Sequence, residues 1–285
     1  LFDLKRRPGV GEDVARAWSG RALATMSRIE SWAGALPSPL HVALTSELEE
    51  VQRIYGICRF GVAEPERRTV IAVAHSALPE EGRRALAEAQ LIQSLGFPYT
   101  DWMLEAAAVD AVDSWWGRPL EEWLAYLSAQ GLLPSPTSTV TPGALRDRSD
   151  HIRIPAQAAF FRYLRLNLEA EQLVELWGGE GAYEVDDIIL QDFQTWLDER
   201  CAPQLGAIRA GRAARHEAVL GVNGRDGVAI DSPLDAQRSF VVPALAKTLD
   251  RAAELGVDAL SVQCYWLEDG PQPRFAAGAG PELSG

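Results

Sequence analysis

Apolar residues recur at helical spacing through "EDVARAWSGRALATMSRIESWAGAL", which predicts a first helix from about Glu12 to Trp32. "SPLHVALTS" then alternates like a half-buried strand, with Ser46 placed to cap a short helix over "ELEEVQRIYG". "CRFGVAEPERRTVIAVAHS" reads as a hairpin: a strand, a turn through Pro65, and a stronger β-branched strand at Thr69–Ala74. From Leu78 the period becomes helical, predicting helices at about Pro79–Leu95, Tyr99–Ser114 and Pro119–Gln130. "LLPSPTSTVTPGALRDRSD" is a Pro/Ser/Thr-rich loop of the kind that edges a site. Helices resume with "PAQAAFFRYLRLNL", "AEQLVELWGG" and the long stretch beginning "DDIILQDFQTWLDERCAPQL".

The pattern changes near Val219. "VLGVNGRDGVAID" reads as a short strand with a Gly-rich turn. A helix over "VVPALAKTLDRAAEL" then feeds, through Gly256, a buried strand at Ala259–Tyr265. Helix, Gly, strand is the signature of a β/α unit in a parallel sheet or barrel. Two parallel strands cannot bury both faces, so this module is expected to be cut short. The expected fold class is therefore α+β: a mostly helical domain with a small N-terminal sheet at residues 1–216, then an incomplete β/α segment at 217–285.

Composition adds exclusions. The 285 residues are 47% hydrophobic and 24% charged, enough for one large domain or two ordinary ones. A formal charge of −13 argues against a nucleic-acid partner, which needs a basic face. No run of about 18 apolar residues occurs, so no transmembrane segment is expected. The chain opens at Leu1 without a Met and is read as a piece of a longer or processed chain. Three distant cysteines (Cys58, Cys201 and Cys264) exclude a disulfide framework and any CxxC metal knuckle.

"ALAEAQLIQSLGFPYTDWMLEAAAV" raises the chemical question, because two largely apolar helices carry isolated acids at Glu88 and Glu105. This order of elements resembles the gluzincin (peptidase MA-like) metallopeptidases, over about Leu1 to His216. In that family the first helix carries H-E-x-x-H and the second a W-L-x-E-G-L-A-like segment whose Glu is the third zinc ligand. "AEAQL" (Ala87–Leu91) falls where H-E-x-x-H would stand, "DWMLEAAA" places Glu105 at the third ligand, and "IPAQAAFFRYL" is similar to the helix that often follows. The resemblance implies a zincin-like fold whose catalytic positions, Glu88 and Glu105, are vestigial. Two His at i and i+4 can pinch one zinc ion, and the Ala87 and Leu91 side chains have no lone pair to offer. No metal and no cofactor is expected. Of His41, His75, His151 and His216 no two have helical ligand spacing, and only His75 is placed near the cleft.

Two alternatives stay open for the acids: general acid/base work by the pair, and an atypical metal site recruiting His75. No Ser/His/acid spacing suggests a nucleophile. "WWGRPLEEW" offers aromatic platforms for a sugar, but packing explains it better, with Gly117 ending one helix and Pro119 starting the next.

The last 65 or so residues resemble the opening β/α repeat of mannanase-like glycoside-hydrolase barrels. By position in that repeat, Asn223, Trp266 and Glu268 would face a substrate, while the acid/base pair would lie on later strands. The competing reading is a small α/β appendage. The combined expectation is an inactive metallopeptidase-like domain that binds a peptide or glycan, or braces the barrel. The alternative is an active hydrolase, either a glycosidase in the full parent or a peptidase with an unusual metal site. Proteins of this make-up imply a place outside the cell or at its envelope, on resemblance alone.

Overall fold

The computed structural model describes residues 2–56, 59–74, 81–115, 118–129, 131–141, 143–146, 148, 150–179, 185–213, 217–222, 225–231, 263–267 and 274–278, with side chains as far as Leu205, Glu81 excepted. It is an α+β protein, mostly helical, with a small mixed sheet at its N-terminus.

The sheet has the order β1-β2-β4-β3, from β1 (Phe2–Arg6), β2 (Leu40–Thr45), β3 (Gly61–Glu64) and β4 (Thr69–Val73). β1, β2 and β4 run parallel, and β3 is an antiparallel edge strand joined to β4 as the expected hairpin. β4 is buried from Val70 to Val73 because both of its faces are covered. Val70 and Ala72 join Leu40, Val42 and Leu44 of β2 in one cluster, with Trp18, Ala22 and Met26 of helix α1 (Glu12–Ala33). Ile71 and Val73 turn the other way, onto Val51 of helix α2 (Leu48–Tyr55). A run of β-branched residues buried on both sides is what a central parallel strand requires.

Helix α3 (Glu81–Leu95) ties this sheet to the helices. Its Ala85, Leu86 and Ala89 belong to the sheet cluster, and its Ala87 and Leu91 to a second, larger core. Two glycines let it come close. A Cβ on Gly82 would stand 3.0 Å from the Val73 carbonyl oxygen, and one on Gly61 2.8 Å from the Ala85 Cβ. The larger core gathers α4 (Asp101–Val112), α5 (Leu120–Ala129), α7 (Asp150–Asn167), α8 (Ala170–Gly178) and α9 (Asp187–Ala213). Trp115, Trp123, Trp177, Phe160, Phe161 and Phe193 are its largest fully buried side chains. Cys201 of α9 is buried with a free thiol, pushed up to about 11 by burial and then by the charges of Asp198 and Glu121.

Several local expectations are corrected. Ser46 does not cap α2: Glu47 holds the N-cap position without a capping side chain, and its amide donates to Thr45 Oγ1 at 3.2 Å. α4 stops at Val112 on a left-handed Asp113, φ 62°, rather than at Gly117. Ser114–Trp115 (β5) then pairs antiparallel with Arg118–Pro119 (β6), so Trp115 sits on a small ribbon. The Pro/Ser/Thr-rich loop contains a short helix, α6 (Pro136–Val140), which starts where Ser135 Oγ accepts the Ser138 amide ahead of Pro136.

Helix α7 starts at Asp150, five residues before the proline that was expected to open it. Pro155 lies inside α7 and has no N–H to give the carbonyl one turn earlier, that of His151. The indole of Trp123 fills that place, donating from Nε1 to the His151 oxygen at 2.7 Å. A buried carbonyl without a partner would be costly, and α5 supplies the partner.

Beyond α9 the described strands pair differently from a β/α repeat. β7 (Glu217–Val222) and β8 (Arg225–Asp231) form an antiparallel ribbon, and so do β9 (Gln263–Leu267) and β10 (Arg274–Gly278). Antiparallel neighbours, unlike the parallel strands of a β/α repeat, need no crossover helix between them. The helix expected between β8 and β9 lies outside the described residues.

Candidate functional site

The two acids singled out by sequence lie on neighbouring helices, and each is engaged by an arginine. Glu88 is 3.8 Å from Arg84 Nε, one turn earlier on α3, and its side chain is 20% exposed. Glu105 of α4 accepts from Arg153 Nη2 of α7 at 3.1 Å and is 31% exposed. Arg153 also donates to Asp150 at 2.8 Å and to Gln157 Oε1 at 3.4 Å. Burial opposes the charge on Arg153, but the hydrogen bond to Asp150 and the field of Glu105 outweigh it, and its pKa is raised.

Ala87 and Leu91, overlaid on the two ligand histidines, are both fully buried. They share the helical core with Met103, Ala106 and Ala107 of α4. The partly exposed face of α3 is instead the one carrying Arg84 and Glu88. A cation gripped from α3 would have to be gripped there, where one of the two positions is itself a cation.

A second route runs from Glu88 toward the same end of α7. The Arg84 guanidinium lies over the Trp115 ring, 5.1 Å from its centroid. Trp115 Nε1 donates to His151 Nδ1 at 3.2 Å, and the rings of Trp115 and Trp123 flank His151 at 5.9 and 6.0 Å. An indole nitrogen only donates, so Nδ1 of His151 is an acceptor and the proton of the neutral ring sits on Nε2. Glu105 thus meets the first turn of α7 directly, and Glu88 reaches it through Arg84, Trp115 and His151. At 2% exposure, Trp115 is core, with no face for a sugar. Sequence reasoning missed His151, whose neighbours come from 28 and 36 residues away.

Another cluster, also missed, lies on the same helix pair. Asp110 of α4 is 2% exposed and receives Arg162 Nε and Arg165 Nε of α7, both at 2.6 Å. Arg162 also meets Asp113 at 2.5 Å and Glu121 at 3.8 Å, and Arg200 of α9 reaches Glu121 at 3.2 Å. Arg28 of α1 donates to the Asp110 and Ala111 carbonyls at 3.1 and 2.8 Å, where the negative end of α4 favours a cation. Burial pulls the Arg162 pKa down, and Asp110 and Asp113 more than restore it. The readable signal was a pair of three-residue spacings, Arg162–Arg165 on α7 against Asp110–Asp113 across the end of α4.

The remaining candidates contribute no geometry. His75, Asn223 and Glu268 lie outside the described residues. Trp266 is on β9, in register with Phe275, with its side chain undescribed. His41 stands 3.6 Å from Asp3 on the exposed β1–β2 pair. Among the described residues, no group of three or more His, Cys, Asp or Glu is placed to hold a metal ion. None of their helices is long and apolar enough to cross a membrane. Scans against protein-family models, curated proteins and solved structures each return no match for this chain.

Proposed function

We propose that the sheet and the helices down to α9 form a metallopeptidase-like domain that has lost its metal and acts by binding or bracing a partner rather than by hydrolysis. One observation carries this reading: the side chains at 87 and 91 are Ala and Leu, fully buried among the residues of the helical core. Water activation by zinc needs lone-pair donors converging on an open position. At 87 and 91 there are none, and on the partly exposed face of α3 Arg84 lies against Glu88. Acid/base catalysis by the two carboxylates would need them turned toward a substrate, whereas each faces a guanidinium.

The reading of residues 217–285 as the start of a glycoside-hydrolase-like barrel has sequence order as its support. Antiparallel pairing of the described strands favours the appendage instead. The test is hydrolysis of a mixture of fluorogenic peptides and of β-linked oligosaccharides by the purified chain, with and without chelator. No turnover above buffer is expected. Chelator-sensitive peptide cleavage that disappears in Glu88→Gln would overturn the proposal.

A further inference from the structure

Where α1, α3 and α8 come together, the surface opens into a groove of about 460 Å³. Its floor is apolar, built from Trp32 and Ala33 at the end of α1, Leu95 at the end of α3, and Val174 of α8. Leu95 is seven residues from Glu88, about two helical turns along α3, so the groove is separate from the acids discussed above. Val174 is 37% exposed, so its side chain is open to a ligand.

The turn that follows Leu95 carries two exposed aromatic side chains. Phe97 and Tyr99 are 73% and 77% exposed, yet the turn is fixed. The Tyr99 amide donates to the Trp177 carbonyl at 2.8 Å, and Trp177 Nε1 donates back to the Gly96 carbonyl at 3.1 Å. The Tyr99 ring rests on Gly179, where a Cβ would stand only 2.6 Å from it. Gly179 also has φ 72°, so this close approach and the helix end both require glycine. Aromatic side chains held in place lose little freedom on binding.

Charge says what fits. Glu171 and Glu175 line the groove one turn apart on α8, and neither carboxylate has a hydrogen bond or ion pair among the described residues. α8 contains no Lys or Arg to balance them. The N-terminus of α8 favours Glu171, while Glu175 lies toward the negative end of the helix, and like charges at i,i+4 repel. A basic group docking here would relieve it, drawn in by a chain of net charge −13. We propose that this groove docks a helical segment of a partner protein, with apolar anchors on one face and Lys or Arg residues one turn apart beside them. The anchors fill the floor between Trp32, Leu95 and Val174, and the basic pair meets Glu171 and Glu175 at matching spacing. This is helix-in-groove recognition.

The test is selection from a phage-displayed library of random peptides, roughly 16 residues long, on the purified chain. Selected peptides are then measured by fluorescence anisotropy. The expected winners are basic and amphipathic. They bind at least about tenfold more weakly to Glu171→Lys/Glu175→Lys, and likewise to Val174→Asp. A charge-matched control, Glu12→Lys/Asp13→Lys at the far end of α1, binds as the parent does. Circular dichroism and melting of the Lys pair check that the fold is kept, and that variant decides the matter if Val174→Asp does not fold. Winners without basic residues, or equal losses in the control, overturn the proposal. So does a parent dimer in sedimentation that Val174→Asp dissociates, since the occupant would then be a second copy.

Discussion

Helices α4 and α7 meet through two acid–arginine clusters that look alike in sequence and differ in burial. Near the first turn of α7, Glu105 faces Arg153 at 3.1 Å with 31% of its side chain exposed. Further along the same pair, Asp110 is 2% exposed and takes two guanidiniums at 2.6 Å. The first was singled out by its position in a family-like segment, the second by nothing. Yet the second is where the structure invests most charge: three acids and four arginines from α1, α4, α5, α7 and α9. A buried acid must be paired, and once paired it fixes which residues of two helices face each other. A half-exposed acid can be paired or not at little cost. Family position and structural weight are therefore different properties of a carboxylate.

The sharpest way to break the comparison is Asp110→Ala. It leaves Arg165 with no acid partner among the described residues and Arg162 with only Asp113 and Glu121, and should lower unfolding stability by about 3 kcal/mol, read from urea melts. A loss below about 1 kcal/mol would show that the two clusters are equivalent. Next in size is Trp123→Phe, which removes the indole donor to the His151 carbonyl freed by Pro155. The expected cost is about 1–3 kcal/mol. An unchanged melt would mean that another group satisfies that oxygen. Smallest is Glu105→Gln, with an expected cost of about 0–1 kcal/mol. Molar salt should shrink that cost further while leaving the Asp110 effect nearly intact, because screening reaches exposed pairs and not buried ones.

Much of the fold was legible because it rests on local patterns. The limits of α1, the alternation of β2, the β-branched run of β4 and the hairpin between β3 and β4 all follow from spacing and turn residues. What was not legible depended on partners distant in sequence. Pro155 reads as a helix start until Trp123 is seen to replace its missing hydrogen bond. The first turn of α7 was consequently hidden, and His151 with it. Asp113, a non-glycine residue in the left-handed region, ended α4 where sequence offered Gly117. Glu88 and Glu105 were correctly placed on adjacent helices, but their arginines come from one turn away in one case and 48 residues away in the other. At Ala87 and Leu91 the family resemblance would place metal ligands, and the structure buries both positions in the core.

The central proposal is that α3 and α4 do not grip a cation, and calorimetric titration of the metal-stripped chain with zinc tests it most directly. The account predicts weak heats without saturation, the same for the parent and for Glu88→Gln/Glu105→Gln. A single saturable site tighter than about 1 μM in the parent, lost in the double variant, would contradict it.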